Sequence, residues 1–206
     1  MCAIVGSFSK SKAKELYQLN SYRGELSYSL TTFRSMSLCS NVVIQLTYKS
    51  PGKIPDSLID NCPISEGDYI ITHSQAPTTS TKNIHPATCN GALLWHNGII
   101  KQKTFTAETW DTEWLLNKII TEGWKSLSGV DGTFACIMYW NKKLYVFRNE
   151  ISPLFIDKDM NISSTKTADM VSINPNKVYI IDMQNKKLDE VASFTTFENP
   201  YYIPEL

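Results

Sequence analysis

Cys2 stands directly behind the initiator Met1 and ahead of the run Ala3-Ile4-Val5-Gly6. Removal of Met1 would leave one residue carrying a thiol and a free α-amine on the same carbon. A thiol is a strong nucleophile only as thiolate. An α-amine has a pKa of about 7.7–8.0, so it can take that proton near neutral pH. Nucleophile and base would then share one residue. A second-position cysteine can equally be an ordinary residue before a strand, and the hexapeptide alone does not choose. Chemistry on a carbonyl also needs donors for the developing oxyanion and groups that hold the substrate. Asn97-Gly98 offers a side-chain amide and an unhindered backbone N–H, although Asn-Gly is also a hairpin signal. Asp111 could pair with a cation or cap a helix. Arg23 could serve a site or lie ion-paired at a helix end. His73 closes a β-branched run, where a histidine is usually structural. His85, ahead of Pro86, is assigned no chemistry.

These residues fall in clusters of a definite order: Tyr22-Arg23-Gly24, His73-Ser74-Gln75-Ala76-Pro77-Thr78, His96-Asn97-Gly98, Asp111-Thr112-Glu113 and Asp131-Gly132-Thr133-Phe134-Ala135. With Cys2, the series resembles the class II glutamine amidotransferase domain of the N-terminal-nucleophile (Ntn) hydrolases. Glucosamine-6-phosphate synthase, asparagine synthetase and the purine amidotransferase share that domain. The resemblance covers about residues 2–165, and residues 166–206 match nothing in it. It implies a four-layer αββα sandwich of two mostly antiparallel sheets. It implies catalysis by Cys2, with Asn97 and Gly98 as the oxyanion hole. Asp111 would bind the α-ammonium of glutamine, and Arg23, His73, Gln75 and Thr78 would lie on the substrate side. The reaction would release ammonia from glutamine without metal or cofactor. Because the motifs take up most of the chain, a separate synthase partner would receive the ammonia.

Three departures from the family pattern bear on that expectation. Gln75 stands where the family usually has an arginine for the α-carboxylate of glutamine. A charge-assisted bond is roughly twice as strong as a neutral one, so Arg23, Lys82 or backbone N–H groups would have to compensate. Ala3 replaces the usual glycine after the cysteine. A retained Met1 would turn the basic amine into a non-basic amide. Two alternatives follow: an Ntn-type amidohydrolase acting on an amide that lacks an α-carboxylate, and a degenerate domain that binds or regulates a partner without catalysis.

The elements that must position these residues can be read from periodicity and turn chemistry. Residues 3–8 read as a strand, and Ser9 or Ser11 caps a helix to about Asn20 with Ala13, Leu16, Tyr17 and Asn20 on one face. Gly24 marks its stop. Strands follow at 26–33 and within 37–48, then a turn at Pro51-Gly52 and a loop to Gly67. Residues 68–73 form a short strand, 74–90 a long polar loop, and 91–96 another strand. A helix spans 111–121, capped by Asp111 or Thr112, with Trp114, Leu115, Ile119 and Ile120 as its apolar side and Gly123 as its end. Residues 124–127 add a short helical turn. Strands at 133–139 and 144–148 make a hairpin around Asn141-Lys142-Lys143, 153–156 and 177–182 are further strands, and 194–206 is an extended docked tail. The pattern predicts an α+β fold in packed layers.

Composition narrows the function classes. The 206 residues suggest a single domain. Twenty basic and twenty acidic residues give formal neutrality, which argues against a nucleic-acid surface. Neither a secretory signal nor a run of ~20 apolar residues is present, so a cytoplasmic protein without a membrane span is expected. The five cysteines contain no C-x-x-C pair, which argues against zinc or a disulfide framework.

Overall fold

A computed structural model describes residues 2–36, 41–76, 83–106 and 108–196. In chain order the elements are β1 (Ala3–Ser7), α1 (Lys10–Asn20), β2 (Ser27–Met36), β3 (Asn41–Pro51), α2 (Asp56–Asp60), β4 (Tyr69–Gln75), β5 (Ala87–Cys89) and β6 (Ala92–Ile100). Then come α3 (Asp111–Glu122), β7 (Gly132–Trp140), β8 (Lys143–Arg148), β9 (Phe155–Ile156), β10 (Ile162–Ser163), β11 (Val171–Ser172), β12 (Lys177–Asp182) and β13 (Lys187–Ser193). The strands form two sheets, ordered β11-β9-β10-β1-β4-β2-β3 and β13-β12-β8-β7-β6-β5. Every pairing is antiparallel.

Three cores stack these elements into four layers. Between the sheets lie Ile4, Phe33, Tyr69, Ile71, Trp95, Ile137 and Val146. Leu115, Leu116 and Ile119 of α3 pack on Leu94, Phe134, Cys136 and Phe147 of the second sheet. On the first sheet, Ala13 and Tyr17 of α1 and Ile59 of α2 pack against Leu30 and Ile70. The result is the αββα sandwich that the resemblance implied. It follows from a strand period of two: successive side chains serve opposite faces. In β1, Ile4 looks into the gap between the sheets and Val5 looks at Leu16 of α1. In β6, Leu93 and Trp95 face the first sheet, while Ala92, Leu94 and Ile100 face α3.

Several local expectations are met. Ser9 caps α1 by accepting from the Lys12 N–H, and the buried residues of α1 are Ala13, Leu16, Tyr17 and Asn20. Gly123 ends α3 at φ 76°, and Asn141 and Lys142 take the positive φ values (48° and 59°) that a tight β7–β8 hairpin needs. Others are corrected. Asn97-Gly98 makes no hairpin: β6 runs straight through it, with Asn97 opposite Ala135 and Gly98 opposite Phe134. The helix α1 ends at Asn20 as expected, but Gly24 does not follow it directly: a 3-10 turn (Ser21–Arg23) stands between them. Ser74 and Gln75, expected in a loop, belong to β4, and that loop also yields β5. The presumed loop before Gly67 contains α2. The N-cap of α3 is Trp110, with Asp111 and Thr112 inside the first turn; Leu116 joins Leu115 and Ile119 on its fully buried side, and Trp114 and Ile120 pack half-buried against the same core. Strands β10, β11 and β13 carry no sequence signal, because two are only two residues long and the third is largely exposed. Phe194 is buried with its ring 5.7 Å from that of Phe134. Residues 197–206 of the expected tail lie outside the described residues.

Candidate active site

Cys2 sits one residue ahead of β1, in phase with Ile4, and so meets the gap between the sheets. Its carbonyl accepts from Arg23 Nε at 3.1 Å, and its thiol is bonded by the backbone of Ala76, just past β4. Three motifs thereby converge through the main chain. Gly24 explains itself here: a Cβ would lie 2.4 Å from the carbonyl carbon of Gln75 and 2.6 Å from Ala76 N. Any side chain would push the 22–24 segment off β4, and the Leu26 N–H to Gln75 O bond at 2.9 Å would go with it. The thiol is buried. Burial pushes its pKa up and Asp111 adds to this, while the Ala76 bond and the Arg23 charge pull the other way. The resting group is therefore a protonated thiol.

Across the gap, Asn97 continues the Leu93 and Trp95 face of β6, toward the first sheet. Asn97 is only 3 % exposed, and its amide has no hydrogen-bond partner among the described residues. That amide is not sealed from solvent, so it is open to a ligand or water. Gly98 has φ 154°, and a Cβ there would lie 1.9 Å from Thr133 O and 2.8 Å from His96 Nε2. Only glycine keeps β6 and β7 paired at this point, which is the reason for the Asn-Gly pair that local turn chemistry misreads.

Asp111 opens α3 and is moored to the same strand. Its Oδ2 accepts from the Ile100 N–H at 3.2 Å and lies 3.8 Å from His96 Nδ1, and its Oδ1 accepts from the Thr112 N–H at 2.8 Å. Its charge is felt at Cys2. The Asp111 carboxylate thus acts on the Cys2 thiol, and Asn97 lies on the same strand, β6, that moors Asp111 at Ile100.

The remaining candidates are placed as follows. His73 bridges the sheets, its Nε2 lying 3.2 Å from His96 O. A carbonyl only accepts, so the ring donates. Burial pushes the His73 pKa down to about 3, so the ring is neutral. Gln75 is buried, with Oε1 accepting from Ser27 Oγ at 2.7 Å and Nε2 donating to Asn83 O at 3.0 Å. Thr78, Lys82 and Met1 lie outside the described residues. His85, given no chemistry from sequence, stacks on His73 with ring centroids 4.0 Å apart and lies 3.0 Å from Thr112 Oγ1. Lys49 donates to Pro86 O at 2.6 Å and Ile84 O at 3.2 Å. Neither residue had a local signal, because each acts on a distant segment.

No family model matches the chain, and no curated protein matches its sequence. Solved structures do match. Glutamine phosphoribosylpyrophosphate (PRPP) amidotransferase from B. subtilis, complexed with ADP and GMP, superposes with a TM-score of 0.63 at 17% identity, over 92% of this chain and 49% of that one. A structure described as the allosteric regulatory enzyme of purine biosynthesis gives 0.62 at 14% identity, over 92% and 49%. The chain spans about half the length of these structures. At such identities the likeness shows the fold alone: this chain shares the layered αββα sandwich of these structures, the architecture that the resemblance implied.

Proposed function

We propose that Cys2, freed of Met1, hydrolyses the side-chain amide of glutamine and that the ammonia passes to a separate synthase partner. One observation supports this reading: Arg23, Ala76 and the charge of Asp111, from three separated segments, all act on Cys2. The α-amine takes the thiol proton. The thiolate attacks the carboxamide carbon, and the carbonyl oxygen becomes an oxyanion held by the Asn97 amide and the Gly98 N–H. Each such donor is worth about 2.7–4 kcal/mol. Collapse breaks the C–N bond, and the nitrogen leaves as ammonia with the proton from the α-ammonium. Water then attacks the thioester, giving its proton to the same amine, which returns it to sulfur as glutamate departs. Asp111 pairs the α-ammonium of the substrate, and Arg23 fixes the nucleophile by holding the Cys2 carbonyl.

A second reading has one observation in its favour. The Gln75 amide is already engaged by Ser27 and Asn83, which favours an amide donor without an α-carboxylate on the same machinery. Both are tested by ammonia release from L-glutamine and from simple carboxamides, with the N-terminal mass recorded. Turnover of glutamine that vanishes in Cys2→Ser supports the first reading. Turnover of a carboxamide without glutamine turnover moves the assignment to the second. Silence toward all amides with Met1 absent overturns both and leaves a non-catalytic binding domain.

A further inference from the structure

Thr112 is fully buried beside Asp111, and its hydroxyl meets three groups at once. His85 Nε2 is 3.0 Å away, His96 Nδ1 3.2 Å and Asp111 Oδ1 3.3 Å. A hydroxyl has one proton and two lone pairs, so the roles can be assigned. His96 Nε2 faces Thr133 O at 3.2 Å and must donate to it, which leaves Nδ1 of the neutral ring as an acceptor. The Thr112 proton therefore goes either to His96 Nδ1 or to Asp111. His85 Nδ1 is buried without a partner among the described residues, and a bare acceptor there costs less than a bare N–H. The His85 proton therefore sits on Nε2, and the Thr112 oxygen accepts it. His85 is itself held in place. Its ring stacks on His73, and the edge of Trp110, the residue before Asp111, packs at 5.3 Å. The carbonyls around it are gripped by Gln75 at Asn83 and by Lys49 at Ile84 and Pro86. Residues 83–86 are thus tied to the first turn of α3 through a single buried hydroxyl.

We propose that Thr112 is a positioning residue, which joins the Asp111 carboxylate to segment 83–86 through His85 so that the carboxylate is aimed only while that segment is seated. This rests on the reading of Asp111 as the subsite for a substrate ammonium. A cation on Asp111 satisfies the carboxylate and sends the Thr112 proton to His96, and the change reaches His85 through the same oxygen. Removing the hydroxyl strands a buried N–H on His85 and a buried acceptor on His96, the costly half-satisfied state of a polar network.

The chain has three histidines, so their ring nitrogens can be followed individually by 15N NMR. The full chain with an intact Cys2 is compared with Thr112→Val, which keeps the shape, and Thr112→Ser, which keeps the hydroxyl. At rest, Thr112→Val moves the ring-nitrogen shifts of both His85 and His96, and Thr112→Ser restores them. Resting shifts unchanged in Thr112→Val, or displaced equally in Thr112→Ser, overturn the relay, whatever the substrate is. In kinetics, Thr112→Val raises KM for L-glutamine about tenfold with kcat within about twofold, and Thr112→Ser stays near wild type. A fall in kcat at unchanged KM overturns the positioning role. Wild-type silence toward glutamine, together with the resting NMR response, sinks the substrate assignment and keeps the relay.

Discussion

The two walls of the candidate site are built by different means. On the nucleophile wall, every contact has main chain on at least one side: the Arg23 side chain grips the Cys2 carbonyl, Gly24 lies on the Gln75–Ala76 peptide, and Ala76 reaches the thiol. On the binding wall, the N–H groups of Ile100 and Thr112 hold the Asp111 carboxylate, and the Thr112 hydroxyl ties it to a buried side-chain network with His96 and His85. A backbone-built wall tolerates changes of side chain but not of space. A wall built from buried side chains fails by loss of single polar atoms, because each leaves a partner unsatisfied.

Exchanging the nucleophile is the severest way to break the comparison. Cys2→Ser is expected to lower glutamine hydrolysis by at least about 10³-fold, since the alcohol forms no thiolate and nucleophile losses are among the largest known. Circular dichroism and the melting temperature should stay near wild type, because Arg23 bonds the Cys2 carbonyl and a serine oxygen can accept from Ala76 in place of sulfur. A serine variant that keeps the activity would remove Cys2 from the mechanism.

Asn97 comes next. Asn97→Ala should cut kcat by about 10²–10³-fold, the loss of one oxyanion donor. Stability should hold or rise slightly, because the amide has no protein partner among the described residues. Unfolding by urea alongside kinetics checks both. A variant that loses stability and keeps kcat would make Asn97 a structural residue of β6.

Acid sharpens the comparison from the binding wall. Burial lowers all three histidines, His73 to about 3. Their unfolded counterparts take protons below about pH 6.5, so the unfolded state binds more protons than the folded one. Stability is therefore full above about pH 6.5 and falls as pH drops from there toward 3. Each histidine contributes up to about 1.4 kcal/mol per pH unit. His73→Gln should flatten the decline of melting temperature between about pH 6.5 and 4. An equal slope in the variant would assign the acid loss to carboxylates.

What the sequence disclosed follows the same division. Backbone-determined features were legible: the β-branched runs, the Ser9 cap, the Gly123 stop and the Asn141-Lys142 turn each leave a local signature. Asn97-Gly98 was legible as chemistry and misleading as structure. Its glycine answers to Thr133 O on the neighbouring strand, 35 positions further along the chain, not to its own turn. His85 and Lys49 were silent because their roles exist only after folding, across separations that no local pattern records. Asp111-Thr112 read as a cap for the same reason: helix-start chemistry hides a buried relay.

The smallest expected effect sits where the two walls touch, at Gln75. Its backbone belongs to the nucleophile wall, under Gly24, and its side chain to the binding wall, between Ser27 and Asn83. Arginine at this position would carry donors only. It could still donate to Asn83 O, but the Ser27 hydroxyl would lose its acceptor, at about 0.5–1.5 kcal/mol. For a chain of this length that is a fall in melting temperature of about 1–6 °C. In exchange, a guanidinium near the site would offer a substrate carboxylate a charge-assisted bond, about 1 kcal/mol better than a neutral one, or roughly fivefold to tenfold in affinity. Gln75→Arg should therefore melt earlier and show a KM for glutamine about fivefold to tenfold lower, with kcat little changed. Matched-pH kinetics and a thermal melt of the same preparation decide it. A lower melting temperature with KM unchanged or raised would mean that another group holds the carboxylate, or that the substrate has none and the simple carboxamides take glutamine's place.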